Sequence, residues 1–500
     1  MRNGAKRLLC ILALAIFTPF QALAATVSLA GFDGENSNHD WNTNAFFTRM
    51  QARTGVTFAF EQYNTYAEWQ TAKARMFSGG VLPEVLFKAE LTTREQIDYA
   101  AQGKLLNLLP LLPDNAPNLW TLLEAHPDWL AAITLPDGKV VALPTLNTQP
   151  TQNAMWINTQ WLKQLGLPMP TDLPSLSEVL RAFRDGDPNQ NGKRDEIPLA
   201  YLGPWELKFL AHAVGLVAND YNLYLDGAGM VCFMPQEDAY FSLLTWLTDA
   251  YAEGLLDPHG FTTADTLRTV TDDTAPMTYG MFFGPSPMNL LPGKAGAQYS
   301  LLPPLAWQGK QVYRDLYGGV TRGTFALTSA CLDPAAMLRW VDVLYSEHGA
   351  IEAMAGLAGQ DHLLSADGSW TYAGDMQTQS NYILYGLSLY DTGNMPWLFP
   401  TDFYSRYQNE DIRRWQAEYQ SLAAFTVVPF PIVSLTPAQE DAIAPLQAAL
   451  GRYVDESLAR FVLGEWDVRD PAAVAAYRQG LAERGLDAFL AQWQSIADAH

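Results

Sequence analysis

Short apolar stretches alternate with amphipathic ones along most of the chain, as in proteins built from strands and helices. Larger and smaller side chains alternate over residues 25–32, residues 46–53 have helical spacing, and residues 56–60 alternate again before the polar residues 62–64. This strand-helix-strand order predicts that the first two strands pair in parallel. Further strands are predicted at residues 84–88, 140–144, 154–158, 280–284 and 324–329.

Apolar stripes with helical spacing separate these strands. Asp172 is a typical N-cap for one stripe, and the apolar residues of the last stripe, residues 486–493, predict that the C-terminal helix docks on the core. The 500 residues allow about three domains of roughly 100 to 200 residues, or one ligand-binding body with two lobes. The pattern therefore predicts a soluble α/β protein with a sizeable core.

The composition narrows the possible partners. With 48% hydrophobic and 17% charged residues the chain is too apolar for a disordered polymer, and 36 Gly and 31 Pro interrupt it too often for a coiled coil. The formal net charge is −22, which would repel a phosphate backbone at most approaches. Nucleic acid is therefore not an expected partner.

The first 24 residues have the pattern of a targeting segment. Three basic residues precede an apolar run at residues 8–17, and Ala22-Leu23-Ala24 completes the pattern of a signal-peptidase site before Ala25. Cys10 lies inside the apolar run rather than directly after it, so a lipid anchor is not expected. The sequence predicts a cleaved signal peptide at residues 1–24 and a mature protein in the periplasm.

Cysteine and histidine usage gives no sign of a catalytic centre. Cys232 and Cys331 are the cysteines of the mature chain, and they could form one disulfide or remain two buried thiols. The sequence has no nucleophile elbow, no H-E-x-x-H and no clustered His/Cys site. We therefore expect no enzyme activity, with an exported glycan-degrading enzyme using two of the 53 acidic residues as the alternative.

One motif has the spacing of a metal site. From Asp187 onward, side-chain oxygens stand at loop positions 1, 3 and 5, a glycine at position 6, and acids at positions 9 and 10. This spacing is similar to the calcium loop of an EF-hand, except that Pro198 stands at position 12 and Glu196 must supply the bidentate ligand. The alternative is a plain Asn-Gly turn with solvated acids. The predicted ligands of a structural Ca²⁺ are Asp187, Asn189, Asn191, the carbonyl of Lys193, Asp195 and Glu196.

These residues resemble a known family. Residues 187–198 are similar to the D-P-N-x-N-G-x-x-D-E-I-P calcium loop of the family 1 extracellular solute-binding proteins of bacterial ABC importers, in the branch similar to alginate-oligosaccharide-binding proteins. The resemblance covers most of the mature chain, and the family's calcium ligands fall on the six residues named above. Stretches that match in the same order are residues 105–112, 133–142, 155–162, 251–258, 280–284, 340–347 and 464–466.

The resemblance implies a two-lobed periplasmic-binding-protein fold of type II, in which each lobe is a mostly parallel sheet flanked by helices. The lobes would close by hinge motion on a solute held in a central cleft. Lobe one would comprise residues 25–150 and 318–395, and lobe two residues 151–317 and 396–500. The implied function is capture of a carbohydrate, in the form of an oligosaccharide, by a monomer that delivers it to importer membrane subunits. A peptide solute and a membrane sensor as partner are the alternatives.

The cleft is expected at loops that leave the carboxyl ends of the strands. A saccharide site needs aromatic platforms beside hydrogen-bonding groups, because sugars present apolar C–H faces and polar rims. Turn residues surround Trp205 and Trp397, which are therefore candidate platforms, although either ring could instead fill the core. Further candidates, each of which could instead complete a strand or a packing contact, are Phe283, Tyr317, Arg322 and the loop residue Asn64. The sequence leaves the charge of the solute open.

Overall fold

The structure is a computed structural model of the chain, and it describes residues 26–35, 39–148, 153–261, 276–287, 291, 295–315, 319–374, 386–389, 394–407 and 410–499. The predicted signal peptide and its cleavage position lie outside the described residues, as does Tyr317.

Strands and helices alternate, as the sequence pattern predicts. The strands are β1 (Thr26–Phe32), β2 (Thr57–Tyr63), β3 (Val85–Phe87), β4 (Leu143–Leu146), β5 (Ala154–Asn158), β6 (Ile197–Ala200), β7 (Leu223–Leu225), β8 (Val231–Phe233), β9 (Tyr279–Gly284), β10 (Tyr299–Leu301), β11 (Tyr313–Arg314), β12 (Val320–Leu327), β13 (His362–Leu364), β14 (Trp370–Tyr372) and β15 (Thr426–Val427).

The helices lie mainly between these strands and at the C-terminal end of the chain. They are α1 (Ala45–Thr54), α2 (Tyr66–Phe77), α3 (Thr93–Ala101), α4 (Leu112–Asn115), α5 (Pro117–Ala125), α6 (Pro127–Ile133), α7 (Thr159–Leu165), α8 (Leu173–Asp185), α9 (Pro204–Leu207), α10 (Asp238–Ala252), α11 (Pro334–Asp342), α12 (Glu347–Ala355), α13 (Thr401–Ser405), α14 (Glu410–Gln420), α15 (Pro437–Val462), α16 (Pro471–Glu483) and α17 (Leu486–Ala497).

Local sequence accounts for the bounds of several helices. The side chain of Asn44 accepts a hydrogen bond from the backbone of Phe46 at the start of α1, and Gly55 ends that helix in the left-handed conformation that glycine adopts without strain. Asp172 caps α8 as predicted, with Ser175 completing a reciprocal capping box. These caps fix where each helix joins the neighbouring strand.

Two main sheets organise the fold. The first has the strand order β2-β1-β3-β12-β4 and the second the order β10-β5-β9-β6. The predicted parallel pairing of β1 with β2 is confirmed, and β1 also pairs with β3 in parallel. The fold class is confirmed, but the expectation of mostly parallel sheets is wrong in detail. β12 runs antiparallel to both of its neighbours, and in the second sheet only β6 and β9 pair in parallel.

Each sheet carries its own hydrophobic core, and we call the two bodies the first and the second unit. The first unit packs Leu29, Phe87 and Trp340 around the first sheet, and the second packs Trp156 and Phe461 with their neighbours around the second sheet. The lobe boundaries drawn from the sequence remain a prediction. Two residues just beyond the boundary at 395/396, Trp397 and Phe403, pack in the core of the first unit.

Two further features bear on the sequence predictions. Cys232 and Cys331 are both free thiols, and each is half-buried. Within the described residues, no helix combines the length and the apolar character needed to cross a bilayer.

Candidate functional site

Buried charges fix the loops at the carboxyl edge of the first sheet. Asp33, directly after β1, accepts hydrogen bonds at Oδ1 from Lys88 Nζ (3.0 Å) and from the indole nitrogen of Trp41 (2.9 Å). His39 Nδ1 lies 2.6 Å from Asp33 Oδ2. The side chains of Asp33 and Lys88 are fully buried, so the pair is held in place by its partners rather than by water. The loops that follow β1 and β3 are thereby locked together.

The loop after β2 presents polar and aromatic groups at the same edge. Gln62 Nε2 donates to Asn64 Oδ1 (3.1 Å), while the amide nitrogen of Asn64 donates to no described residue. The backbone nitrogen of Tyr66 donates to Glu35 Oε2 (2.8 Å), and the Tyr66 ring, 47% exposed, packs edge-on against Phe32. The sequence analysis singled out Asn64 in this loop and did not name Tyr66 as a candidate platform.

The second unit contains an open cavity of about 310 Å³. It lies between α9, the turn at residues 216–222 and strand β11. Aromatic, charged and small residues share its wall, and they are Trp205, Lys208, Phe209, Ala211, His212, Leu216, Val217, Ala218, Asn219, Asp220, Asn222, Met234, Tyr313, Arg314 and Asp455. A cavity with a half-exposed aromatic wall and several hydrogen-bonding side chains suits a sugar.

Trp205 forms the exposed aromatic wall of this cavity. Its side chain is 42% exposed, and its ring stands edge-on to Phe209 at 5.7 Å between centroids. A Cβ atom at Gly203, which precedes α9, would lie 3.1 Å from Trp205 Cδ1, so a larger residue there would require a small shift of the ring. Phe283 is buried behind Phe209, with 6.2 Å between ring centroids, so it supports the wall rather than lining the cavity.

Two ion pairs flank the aromatic wall. Lys208 Nζ lies 3.0 Å from Asp455 Oδ1, and Arg314 Nη1 lies 2.6 Å from Asp220 Oδ1. The guanidinium of Arg314 also stacks over Phe209, 5.4 Å from the ring centroid. Each cation of the cavity is therefore matched by a carboxylate.

His212 is neutral in this cavity. Its Nε2 accepts a hydrogen bond from the backbone nitrogen of Leu305 (3.0 Å), so Nδ1 carries the proton and donates to the carbonyl of Phe209 (2.7 Å). Burial lowers the pKa of His212 to about 4. The imidazole is thus a fixed structural group and adds no positive charge at neutral pH.

Glu206 is a buried carboxyl next to Trp205. Its Oε2 accepts a hydrogen bond from the backbone nitrogen of Leu202 (2.6 Å), and its Oε1 accepts one from Asn153 Nδ2 (3.2 Å). Asn153 in turn accepts the hydroxyl of Tyr313 at its carbonyl (3.0 Å), which connects this network to the cavity wall. Burial raises the pKa of Glu206 to about 7. Sequence reasoning missed Glu206 because nothing in its local pattern distinguishes it from an exposed helix acid.

Trp397 does not line a cavity in this structure. It is 1% exposed, its carbonyl accepts the backbone nitrogen of Leu146 (2.8 Å), and its ring packs against Phe399 in the first unit. The platform role predicted for Trp397 is therefore not supported. The turn residues around it belong to a segment that runs alongside β4, where the ring fills the core.

Arg322 joins the two units. A β-bulge displaces the register of β12 between Thr321 and Phe325, and Arg322 lies within it. Its Nη1 donates to Ser434 Oγ (2.8 Å) and Thr93 Oγ1 (3.4 Å), and its Nη2 donates to the carbonyl of Val433 (3.3 Å). Burial lowers its pKa. Because the segment at Val433 packs on the core of the second unit, Arg322 bridges the units.

The predicted calcium loop folds into a tight turn before β6. Asp187 Oδ1 and Oδ2 accept the backbone nitrogens of Asn191 and Gly192 (both 3.1 Å), and Asn189 and Asn191 donate their side-chain amides to Asp195. Gly192 has φ +71°, which glycine adopts without strain. The six predicted ligands are thus gathered in one loop.

The charges of this loop are incompletely balanced by protein groups. Hydrogen bonding from the Asn191 amide lowers the pKa of Asp195, whereas burial raises the pKa of Glu196. Glu196 Oε1 is buried without a hydrogen-bond partner among the described residues. No group of three or more His, Cys, Asp and Glu side chains in the described part of the chain is arranged to hold a metal. A site here would therefore depend on the amide oxygens as well.

Comparison with known proteins finds one importer protein that is similar to most of the chain. No family model matches it. It is 26% identical over 497 residues to the fructooligosaccharide ABC transporter substrate-binding protein FusA of Streptococcus pneumoniae serotype 4 (strain ATCC BAA-334 / TIGR4), covering 93% of this chain and 88% of FusA. That relative is the substrate-binding protein of an ABC transporter.

Solved structures share the fold along nearly the whole chain. FusA with kestose superposes with a TM-score of 0.76 at 23% identity, covering 95% of this chain and 99% of FusA. A solute-binding protein of Bifidobacterium longum infantis that binds human milk oligosaccharides superposes with a TM-score of 0.80 at 20% identity. The match covers 95% of this chain and 98% of that protein. The alginate-binding protein AlgQ2, in its structure without calcium, superposes with a TM-score of 0.67 at 20% identity, covering 95% of this chain and 99% of AlgQ2. The fold is that of type II solute-binding proteins.

Proposed function

We propose that this chain, a homologue of the substrate-binding proteins of ABC importers, captures an oligosaccharide between its two units and delivers it to membrane permease subunits. The observation that carries the proposal is the cavity of the second unit, where half-exposed Trp205 stands beside four charged side chains. Proteins similar over nearly the whole chain bind fructooligosaccharides and human milk oligosaccharides, which supports the same class of solute here.

Each unit would contribute one side of the site. Trp205 would stack on the apolar face of one sugar ring, with Phe209 and Phe283 supporting its position. From the first unit, the free amide nitrogen of Asn64 would donate to a sugar hydroxyl beside Tyr66. Arg322 would act at the contact between the units, holding them together, rather than on the solute itself. Closure of the units would then exclude water from the sugar.

The chain would reach this solute in the periplasm. The basic residues, apolar run and Ala22-Leu23-Ala24 site at its N-terminus support export with cleavage before Ala25. N-terminal sequencing of the mature protein tests this part of the proposal. A mature chain that retains Met1 would contradict it.

The loop at residues 187–196 would hold one structural Ca²⁺. The donor set fits this hard cation, because Asp187, Asp195 and Glu196 supply carboxylates while Asn189, Asn191 and the Lys193 carbonyl supply neutral oxygens. The unpartnered buried oxygen of Glu196 supports the assignment. A solved FusA variant is described as an EF-hand mutant, so this relative contains a loop of that type. The ion would stiffen the turn before β6 and take no part in sugar recognition.

The proposal is tested by titrating the mature protein with a panel of oligosaccharides and peptides while recording heat and small-angle scattering. We expect one saturable oligosaccharide site, a smaller radius of gyration in the complex, and no change in the sugar after prolonged incubation. Hydrolysis of the sugar would favour a glycan-degrading enzyme. Binding of peptides but of no sugar would contradict the carbohydrate assignment.

A further inference from the structure

The charged groups of the cavity wall are arranged in a way that bears on the kind of solute it accepts. Arg314 and Lys208 are its cations, apart from the neutral His212, and each is already paired with a carboxylate. The wall thus contains two positive and two negative side chains. A bound anion would have to take a cation away from Asp220 or Asp455.

The two pairs are also oriented with the carboxylates outward. The Arg314 side chain is 15% exposed and its partner Asp220 76%, while Lys208 is 17% exposed and its partner Asp455 44%. A solute entering from solvent therefore meets the carboxylates before the cations. A carboxylate on the solute that approaches Asp220 or Asp455 is repelled, and more strongly as the bound solute displaces water from the cavity.

Two other cations, one at the contact between the units and one on the first unit, already bind protein groups. Arg322, whose charge acts on the neighbouring Tyr221, donates to Ser434 Oγ, Thr93 Oγ1 and the Val433 carbonyl. On the first unit, the Lys88 ammonium is fully buried against Asp33. Neither group offers a free positive charge to a carboxylate on the solute.

Resting on the proposed function, we infer that the solute is a neutral oligosaccharide and that this site discriminates against uronates, with Asp220 and Asp455 as the specificity-determining residues. The acids would accept hydrogen bonds from sugar hydroxyls, and a hydroxyl is a donor that a carboxylate on the sugar cannot replace. Rejection of uronates would follow from like charges at short range and from the loss of those donors.

The test uses matched ligand pairs in which one member has free carboxylates and the other has none. Trigalacturonate is compared with its fully methyl-esterified form, and the tightest neutral binder of a panel containing kestose, maltotriose and cellotriose is compared with the same sugar oxidised at C6 to the uronate. We expect the charged member to bind at least about 10-fold more weakly in each pair, since like charges brought together at an interface repel each other. The preference should weaken as salt rises, because salt screens the repulsion.

Variants locate the preference in the cavity. Combining Asp220→Asn with Asp455→Asn should reduce the neutral-over-uronate ratio by at least about threefold, whereas Asp128→Asn, an exposed acid on α6 of the first unit, should leave it unchanged. Uronates that bind as tightly as their neutral counterparts, or a ratio unaffected by the double variant, would overturn the inference while the proposed function stands. Absence of any oligosaccharide binding would instead overturn the proposed function, and the inference with it.

Discussion

Arg94 Nη1 lies 2.7 Å from Asp441 Oδ1, and this ion pair links α3 of the first unit to α15 (Pro437–Val462), which packs in the second. It stands near the bridge that Arg322 makes to Ser434, a few residues before the same helix. Both contacts therefore join the first unit to residues 434–441 at the start of α15. Because both Arg94 and Asp441 are substantially exposed, the pair adds little to the stability of either unit alone.

Removing this ion pair should speed the release of the solute. Arg94→Ala should raise the dissociation rate by a few-fold at most, because a solvent-screened ion pair contributes only weakly to the contact between the units. Stopped-flow displacement measures the rate, and small-angle scattering should show a slightly larger radius of gyration for the unliganded protein. Arg181→Ala is the control, since Arg181 makes another solvent-exposed pair, with Glu253, inside the second unit. Equal effects of the two variants would contradict a role at the contact between the units.

Truncating the exposed indole should weaken binding without unfolding the protein. Trp205→Ala should cost about 1 to 3 kcal/mol in binding free energy, because it removes an apolar platform that the solute buries. Calorimetric titration measures the loss. Trp307→Ala is the control, since Trp307 is 38% exposed in the same unit but does not line the cavity. A dissociation constant that Trp205→Ala leaves unchanged would place the sugar elsewhere.

Glu206 should make stability depend on pH in a predictable direction. Its pKa rises from the ordinary 4.5 to about 7 in the folded protein, so its protonated form favours folding. That contribution is complete below pH 4.5 and is lost as pH rises through 7. Glu206→Gln should therefore raise the melting temperature relative to the unmodified protein more at pH 8 than at pH 5. Exposed Glu124→Gln is the control, and a Glu206→Gln effect that is independent of pH would refute the assignment.

Calcium should stabilise the folded chain through the loop at residues 187–196. Binding only to the native state adds roughly 2.7 kcal/mol at a hundredfold excess over the dissociation constant, so chelation should lower the melting temperature. Asp187→Ala should abolish both the calcium response and the single calorimetric binding site. Asp226→Ala, which alters another turn whose acid accepts backbone amides, should retain both. An unchanged melting temperature in chelator and in added calcium would count against the site.

Local sequence patterns predicted the features that depend on neighbouring residues. The β1-α1-β2 order predicted parallel pairing, and Asp172 predicted the start of α8, since strand pairing across a short crossover and helix capping are both local. Trp205 was singled out because turn residues surround it, and its ring is half-exposed.

Features that depend on distant residues were not predictable in this way. Trp397 has a similar turn-like neighbourhood, but its burial depends on β4, some 250 positions earlier in the chain, whose Leu146 bonds to it. Two other contacts likewise join segments far apart in sequence. They are the ion pair of Lys208 with Asp455 and the antiparallel pairing of β12 with β3 and β4. The periodicity of a single sequence does not predict contacts between such distant segments.

The position of β12 has a consequence for the order in which the protein can be built. β12 lies between β3 and β4 in the first sheet, yet residues 147–319, including most of the strands of the second unit, precede it in the chain. During synthesis, the ribosome must pass residue 327 before the first sheet can be completed, and β4 has no neighbour in that sheet until then. The part of the first unit that precedes β12 thus stays incompletely folded for longer than the order of its residues suggests.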